Sequence, residues 1–169
     1  MHAKTLFLAI ALVAASSSAR ALDPATSGAI AVPANRIVGL WSTLGMVGPC
    51  GGSVFPQTIR NTLLFQAGGT VVENPRSPPQ GGPGPGPGVH QRSIALGTWA
   101  YDPLTRQYTM HLQFDWFVDN AWHGYSTVDR TLLLNSNGTL AAGPVRSMRF
   151  AANGAIVAEV CGAATSTRL

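Results

Sequence analysis

Residues 107–134 alternate apolar and polar side chains on both sides of Val118-Asp-Asn-Ala121, and that long hairpin restricts the fold more than any other stretch. A three-residue loop at 119–121 sets Trp116 opposite Gly124, Phe114 opposite Ser126, Leu112 opposite Val128, Met110 opposite Arg130 and Tyr108 opposite Leu132. One face is then almost wholly apolar. The other collects Thr109, His111, Gln113 and Asp115 against Thr131, Asp129, Thr127 and Tyr125. A two-residue loop would mix the two faces, so the pattern selects this register.

Other apolar runs of strand length, rich in Val, Leu, Phe, Tyr, Trp and Thr, are bounded by Gly, Asn, Asp or Pro. They predict strands near 36–47, 61–67, 70–74, 94–102, 107–118, 122–134, 139–151 and 155–167. No stretch of ten residues carries a helical stripe. Gly68-Gly69, Asn137-Gly138 and Asn153-Gly154 each separate two apolar runs, and these pairs accept the positive φ of tight hairpin turns. The fold class expected is all-β, a single antiparallel up-and-down β-barrel of about eight strands, since closure removes the exposed edges of a meander. An open sandwich is the competing architecture.

Outside those strands the chain is punctuated by proline and glycine. Residues 1–21 have the layout of a secretory signal peptide: Lys4, an apolar run from Thr5 to Ala15, and Ala19-Arg-Ala21 before the expected cut. Residues 22–35 read as a flexible N-terminal arm, and 36–169 as the barrel domain. Within it, Pro75–Gly88 alternates proline and glycine and reads as a floppy loop, either a tolerated insertion or a lid over the barrel mouth. No segment of the mature chain resembles a membrane span. The expected location is secreted or periplasmic.

That location bears on charge and on sulfur. The whole chain is formally +4, but loss of Lys4 and Arg20 with the leader leaves nine arginines against seven acids, spread without a cluster. Nucleic-acid binding calls for gathered basic residues, so it is not expected. Cys50 and Cys161 are the only two cysteines and, in an oxidising compartment, form an expected disulfide joining the two ends of the domain. The alternative is a pair of free buried thiols. Nothing has zinc-ligand spacing, and no metal or other cofactor is implied.

One residue breaks the hairpin's apolar face. Arg130 is in phase with Val128, Leu132 and Leu134, where an unpaired guanidinium is too costly to leave. It must meet a carboxylate, carbonyls, water or an anionic ligand, and Glu73 and Glu159 are the nearest acids by strand phase. His111, His123, Asp115 and Asp129 share the polar face and are solvated if that face is outside the barrel. There is no Gly-x-Ser-x-Gly elbow, His-Glu-x-x-His or phosphate-cradling glycine loop.

Gly39-Leu-Trp41 on the first strand, the meander after it and Arg168 near the C-terminus resemble the lipocalin or wider calycin pattern. In that pattern an early Gly-x-Trp closes one barrel end and a late Arg packs across the Trp; the resemblance therefore implies a Trp41–Arg168 structural pair. The chain also resembles a loosely defined group of small secreted bacterial proteins that join an early Gly-x-Trp to a closing Cys-x-x-x-Thr-x-x-Arg, here Cys161 to Arg168. A second Gly-x-Trp occurs at Gly97-Thr-Trp99.

The leading expectation is a secreted protein that binds a small hydrophobic molecule in the barrel interior or mouth. Met110, Leu112, Phe114, Trp116 and Val128 would form its walls and Arg130 its anionic anchor. The same residues could instead fill the barrel. Two alternatives remain at this level: a barrel enzyme of cyclase or isomerase type using Arg130, Tyr101 or Glu159, and a filled barrel acting as a surface interaction or inhibitor module.

Overall fold

The computed structural model describes residues 32–84 and 86–169; the expected leader (1–21) and residues 22–31 of the expected arm lie outside the described residues. The described residues form ten strands: β1 (Gly39–Pro49), β2 (Gln57–Phe65), β3 (Thr70–Pro75), β4 (Gly82–Gly84), β5 (Gly86–Arg92), β6 (Ala95–Asp102), β7 (Gln107–Val118), β8 (Ala121–Leu134), β9 (Leu140–Ala151) and β10 (Ile156–Arg168). All eight barrel strands are antiparallel to their neighbours in the order β1-β2-β3-β6-β7-β8-β9-β10, and β10 pairs back onto β1. Closure leaves no barrel edge unpaired.

Strand alternation decides what is inside. Trp41 and Thr43 on β1, Leu63 and Phe65 on β2, Val71 on β3, Trp99 on β6, Tyr108, Met110, Leu112 and Phe114 on β7 and Leu132 on β8 point inward. One half of the barrel is packed solid by Ile37, Trp41, Leu63, Phe65, Trp99, Tyr108 and Leu132. Full burial of each such side chain contributes about 1.5–3 kcal/mol, so this half dominates the hydrophobic stabilisation.

A short 3-10 turn, Pro33–Ile37, plugs the packed end. The Trp41 indole donates to the Ile37 carbonyl at 2.8 Å, and the Tyr108 hydroxyl donates to the Pro33 carbonyl at 2.5 Å. The expected arm therefore ends earlier than 35. Its last residues are held by tertiary bonds that no sequence period announces.

Arg168 closes the same end. Its guanidinium carbon lies 4.5 Å from the centroid of the Trp41 ring, and its nitrogens donate to the carbonyls of Val38 (2.8 Å), Gly138 (2.9 Å) and Arg36. Gly39 is at φ 134°, and a Cβ there would sit 2.7 Å from Arg168 Nη1. Glycine at this position satisfies both the backbone and the guanidinium.

Two sequence expectations need correction. The β7–β8 hairpin keeps the expected register from Tyr108↔Leu132 to Trp116↔Gly124, but its loop has two residues, not three. Asp119 and Asn120 both have positive φ, 50° and 66°, which makes a type I′ turn. A β-bulge between Trp116 and Phe117 takes up His123 and restores the faces that a two-residue loop alone would mix.

The second correction concerns the proline–glycine segment, expected as a floppy loop. Residues 76–81 do lie outside any strand, but the second half of the segment enters a hairpin, β4–β5, whose continuation, His90, Gln91 and Arg92, pairs with Val118, Phe117 and Trp116 of β7. Pro83 and Pro87 fall outside the paired positions, and Gly81, Gly86 and Gly88 take positive φ. Asp119 Oδ1 accepts from the Val89 amide at 2.8 Å, and Gln91 exchanges bonds with Asn120. The hairpin is thus zipped to the β7–β8 turn.

The disulfide is present, Cys50 to Cys161, spanning 111 residues and tying the end of β1 to β10. No described helix is long and apolar enough to cross a membrane.

Candidate functional site

The half of the barrel away from Trp41 is hollow. A cavity of about 900 Å³ opens between the strand ends and the β4–β5 hairpin, bounded by Met110, Leu112, Phe114, Trp116, Val128 and Arg130 among others. These six are the residues that alternation on β7 and β8 places on one face.

The cavity floor is polar. Thr43 and Ser166 share a hydrogen bond of 2.7 Å, and Asn61 Nδ2 donates to Glu73 Oε1 at 2.8 Å. Arg130, 5% exposed, turns its head toward this layer, donating to the Ala164 carbonyl at 3.1 Å and to Ser166 Oγ at 3.4 Å. Its Nε has no partner. Burial pushes the guanidinium down to about 10, opposed by the negative charge of Glu73. Of the two acids expected near Arg130, Glu73 acts through space without a hydrogen bond. Glu159 faces outward and accepts from Arg146 Nε at 2.5 Å.

Glu73 is 3% exposed, and its second oxygen accepts from Arg92 Nη2 at 3.1 Å. The Arg92 guanidinium lies over Phe114, 3.5 Å from the ring centroid. Arg149 lies over the next inward ring of the same strand, Trp116, at 4.8 Å. Burial first, and the Arg92 charge second, lower the proton affinity of Arg149. Arg149 has no acidic partner among the described residues, and both cations line the same cavity.

Charge is therefore concentrated here. Among the described residues, Arg60, Arg76, Arg92, Arg130 and Arg149 border the cavity, against Glu73 alone. A low-dielectric cleft lined by one sign of charge focuses its field on the space it encloses and favours anions there.

The polar face of the β7–β8 hairpin lies outside the barrel. His111 and Asp129 form an exposed pair at 2.8 Å, and Asp115 accepts from the Trp122 indole at 3.1 Å. The His123 ring lies 5.3 Å from that of Trp116, at the rim. Tyr101 packs on Tyr108 in the closed half, 4.8 Å between ring centroids, so Arg130, Tyr101 and Glu159 do not converge on one point. Cys50, Cys161 and Glu159 lie close together, but both sulfurs are consumed in the disulfide and offer no thiolate.

Sequence reasoning missed Ser126, Arg149, Arg92 and Asn61 as site residues, while Glu73 entered it only as a partner for Arg130. Strand phase could have found two of them, since Ser126 alternates with Val128 and Arg149 with Ser147 and Val145. Arg92 comes from a segment without a period. No protein-family model, curated protein or solved structure matches this chain.

Proposed function

We propose that this is an exported binding protein that holds one small, mostly apolar molecule in the open half of a lipocalin-like barrel. The cavity of about 900 Å³, walled by Met110, Leu112, Phe114, Trp116 and Val128, carries the reading. Pockets that take small organic ligands have this size and set apolar walls beside placed polar groups. The solid half supports it, because a rigid packed end fixes the strands that shape the hollow one. The Cys50–Cys161 disulfide and the leader-like residues 1–21 support export into an oxidising compartment.

A fluorescent naphthalene-type probe tests this reading. One probe molecule per chain is expected to bind with enhanced emission, and Val128→Phe, which narrows the cavity, is expected to abolish the signal while the fold persists by circular dichroism. Absence of saturable binding, or binding untouched by V128F, overturns the reading.

A further inference from the structure

We infer that the cavity holds an anion subsite, built from Ser126, Arg149 and Arg92, and that the natural ligand carries a single carboxylate that docks there. This rests on the cavity-binding reading above and adds the chemistry of the ligand's head.

Three strands bring the subsite together. Ser126 on β8 stands directly opposite Phe114 on β7 and directly opposite Arg149 on β9. Phe114 carries the Arg92 guanidinium on its ring, and Arg149 lies over Trp116, two residues along β7 on the same face. Ser126 therefore stands in one cross-strand row between Arg149 and Phe114, the ring that carries the Arg92 guanidinium. It is 1% exposed, borders the cavity, and its Oγ has no hydrogen-bond partner. A buried hydroxyl without a partner is costly, and so is a largely buried guanidinium that feels the charge of a second cation and has no carboxylate of its own.

A bound carboxylate resolves both. One oxygen accepts from Ser126 Oγ and from Arg149, and the other faces Arg92, whose Nη2 already holds Glu73. The ligand then brings the second negative charge that this pair of arginines lacks. Planar guanidiniums stacked on aromatic rings are preorganised to donate to a carboxylate. Its apolar body would lie below, against Met110, Leu112 and Val128.

Arg130 is not the primary anchor in this arrangement. Its head is turned to the floor, toward Ser166 and the Ala164 carbonyl, away from the row that holds Ser126.

Matched pairs of ligands test the subsite: decanoate against 1-decanol, and 2-naphthoate against 2-naphthol, titrated by calorimetry at pH 8. At least one acid is expected to bind at least about tenfold more tightly than its neutral partner, the effect of charge-assisted hydrogen bonds in a shielded site. Arg149→Gln and Ser126→Ala are each expected to remove most of that preference while leaving the neutral partner's affinity within about twofold, and Arg149→Lys to keep part of it. Equal binding of acid and neutral partner overturns the subsite and leaves the cavity reading standing. Binding of no member of either pair overturns both. A preference that survives Arg149→Gln and Ser126→Ala but is lost in Arg130→Met overturns the subsite and moves the anion to the floor. An equal loss for acid and neutral partner in Arg149→Gln also overturns it, since that marks lost packing.

Discussion

Trp41 and Arg168 stand near opposite ends of the described chain, yet the guanidinium carbon of one lies 4.5 Å from the ring of the other. Trp41 and Arg168 are also paired directly across β1 and β10, the junction that closes the barrel. The cation–π contact, three bonds to backbone carbonyls and the close approach to Gly39 form one device at the seam.

Arg168→Ala is therefore expected to destabilise the protein by about 2–4 kcal/mol, the sum of a cation–π contact and several charge-assisted bonds that leave carbonyls unsatisfied. Gly39→Ala is expected to cost about 1–3 kcal/mol through its positive φ and the collision with Arg168. Urea denaturation measures both. A loss below about 0.5 kcal/mol for R168A would remove the seam's structural role.

Tyr108 sets an alkaline limit. Burial, then the neighbouring Tyr101, raises its pKa above the ordinary tyrosine value, and its hydroxyl donates to the Pro33 carbonyl. With the folded pKa above the unfolded one, the native state binds more protons once pH exceeds about 10, so stability is unaffected below that pH and falls above it. Tyr108→Phe is expected to weaken the fold at pH 8 by about 1 kcal/mol and to flatten the decline above about pH 10. Urea midpoints across that range decide it; parallel declines in both proteins would contradict it.

Arg92 and Glu73 form a partly buried ion pair, 25% and 3% exposed, that ties the β5 end to the cavity floor. Arg92→Met leaves Glu73 without its bonded cation, for an expected loss of about 2–4 kcal/mol. Glu73→Gln added to R92M is expected to recover much of that loss, because the buried negative charge is then gone. A double-mutant cycle measures the coupling, and additive losses would show that the pair does not act as a unit.

The disulfide closes a loop across nearly the whole domain. Reduction, or a Cys50→Ser/Cys161→Ser variant, is expected to cost about 4–5 kcal/mol by the chain-entropy argument. Calorimetric melting with and without reductant tests it; an unchanged melting temperature would mean that the β1–β10 pairing alone holds the seam.

Much of the fold was legible in the sequence because β-structure with one buried face writes itself as a period of two. Met110, Leu112, Phe114 and Trp116 alternate with polar residues, and this placed them on one inner face and set the register to Trp116↔Gly124. The bulge at His123 was not legible, since it compensates for a turn length that the same alternation argued against. The β4–β5 hairpin was hidden for another reason. Glycine and proline carry no side-chain pattern, and the hairpin is held by backbone pairing to β7 and by Asp119 and Asn120. Arg130 stood out as a cation in an apolar row, but its turn toward Ser166 depends on packing between β8 and β10 that no local pattern records. The cations at the mouth were obscured likewise, because Arg92 and Arg149 come from β5 and β9 and meet only once the barrel closes.

The most direct test of the cavity's role is native mass spectrometry on the protein recovered from its natural host, compared with the denatured mass of the same sample. A native-only adduct of one small molecule per chain is expected, lost on denaturation and missing from Val128→Phe. Its fragmentation would also show whether it bears the carboxylate that the Ser126, Arg149 and Arg92 row calls for. A native mass equal to the bare chain, together with failure of every offered acid and neutral probe to bind, would contradict the account and leave the cavity without a ligand-binding role.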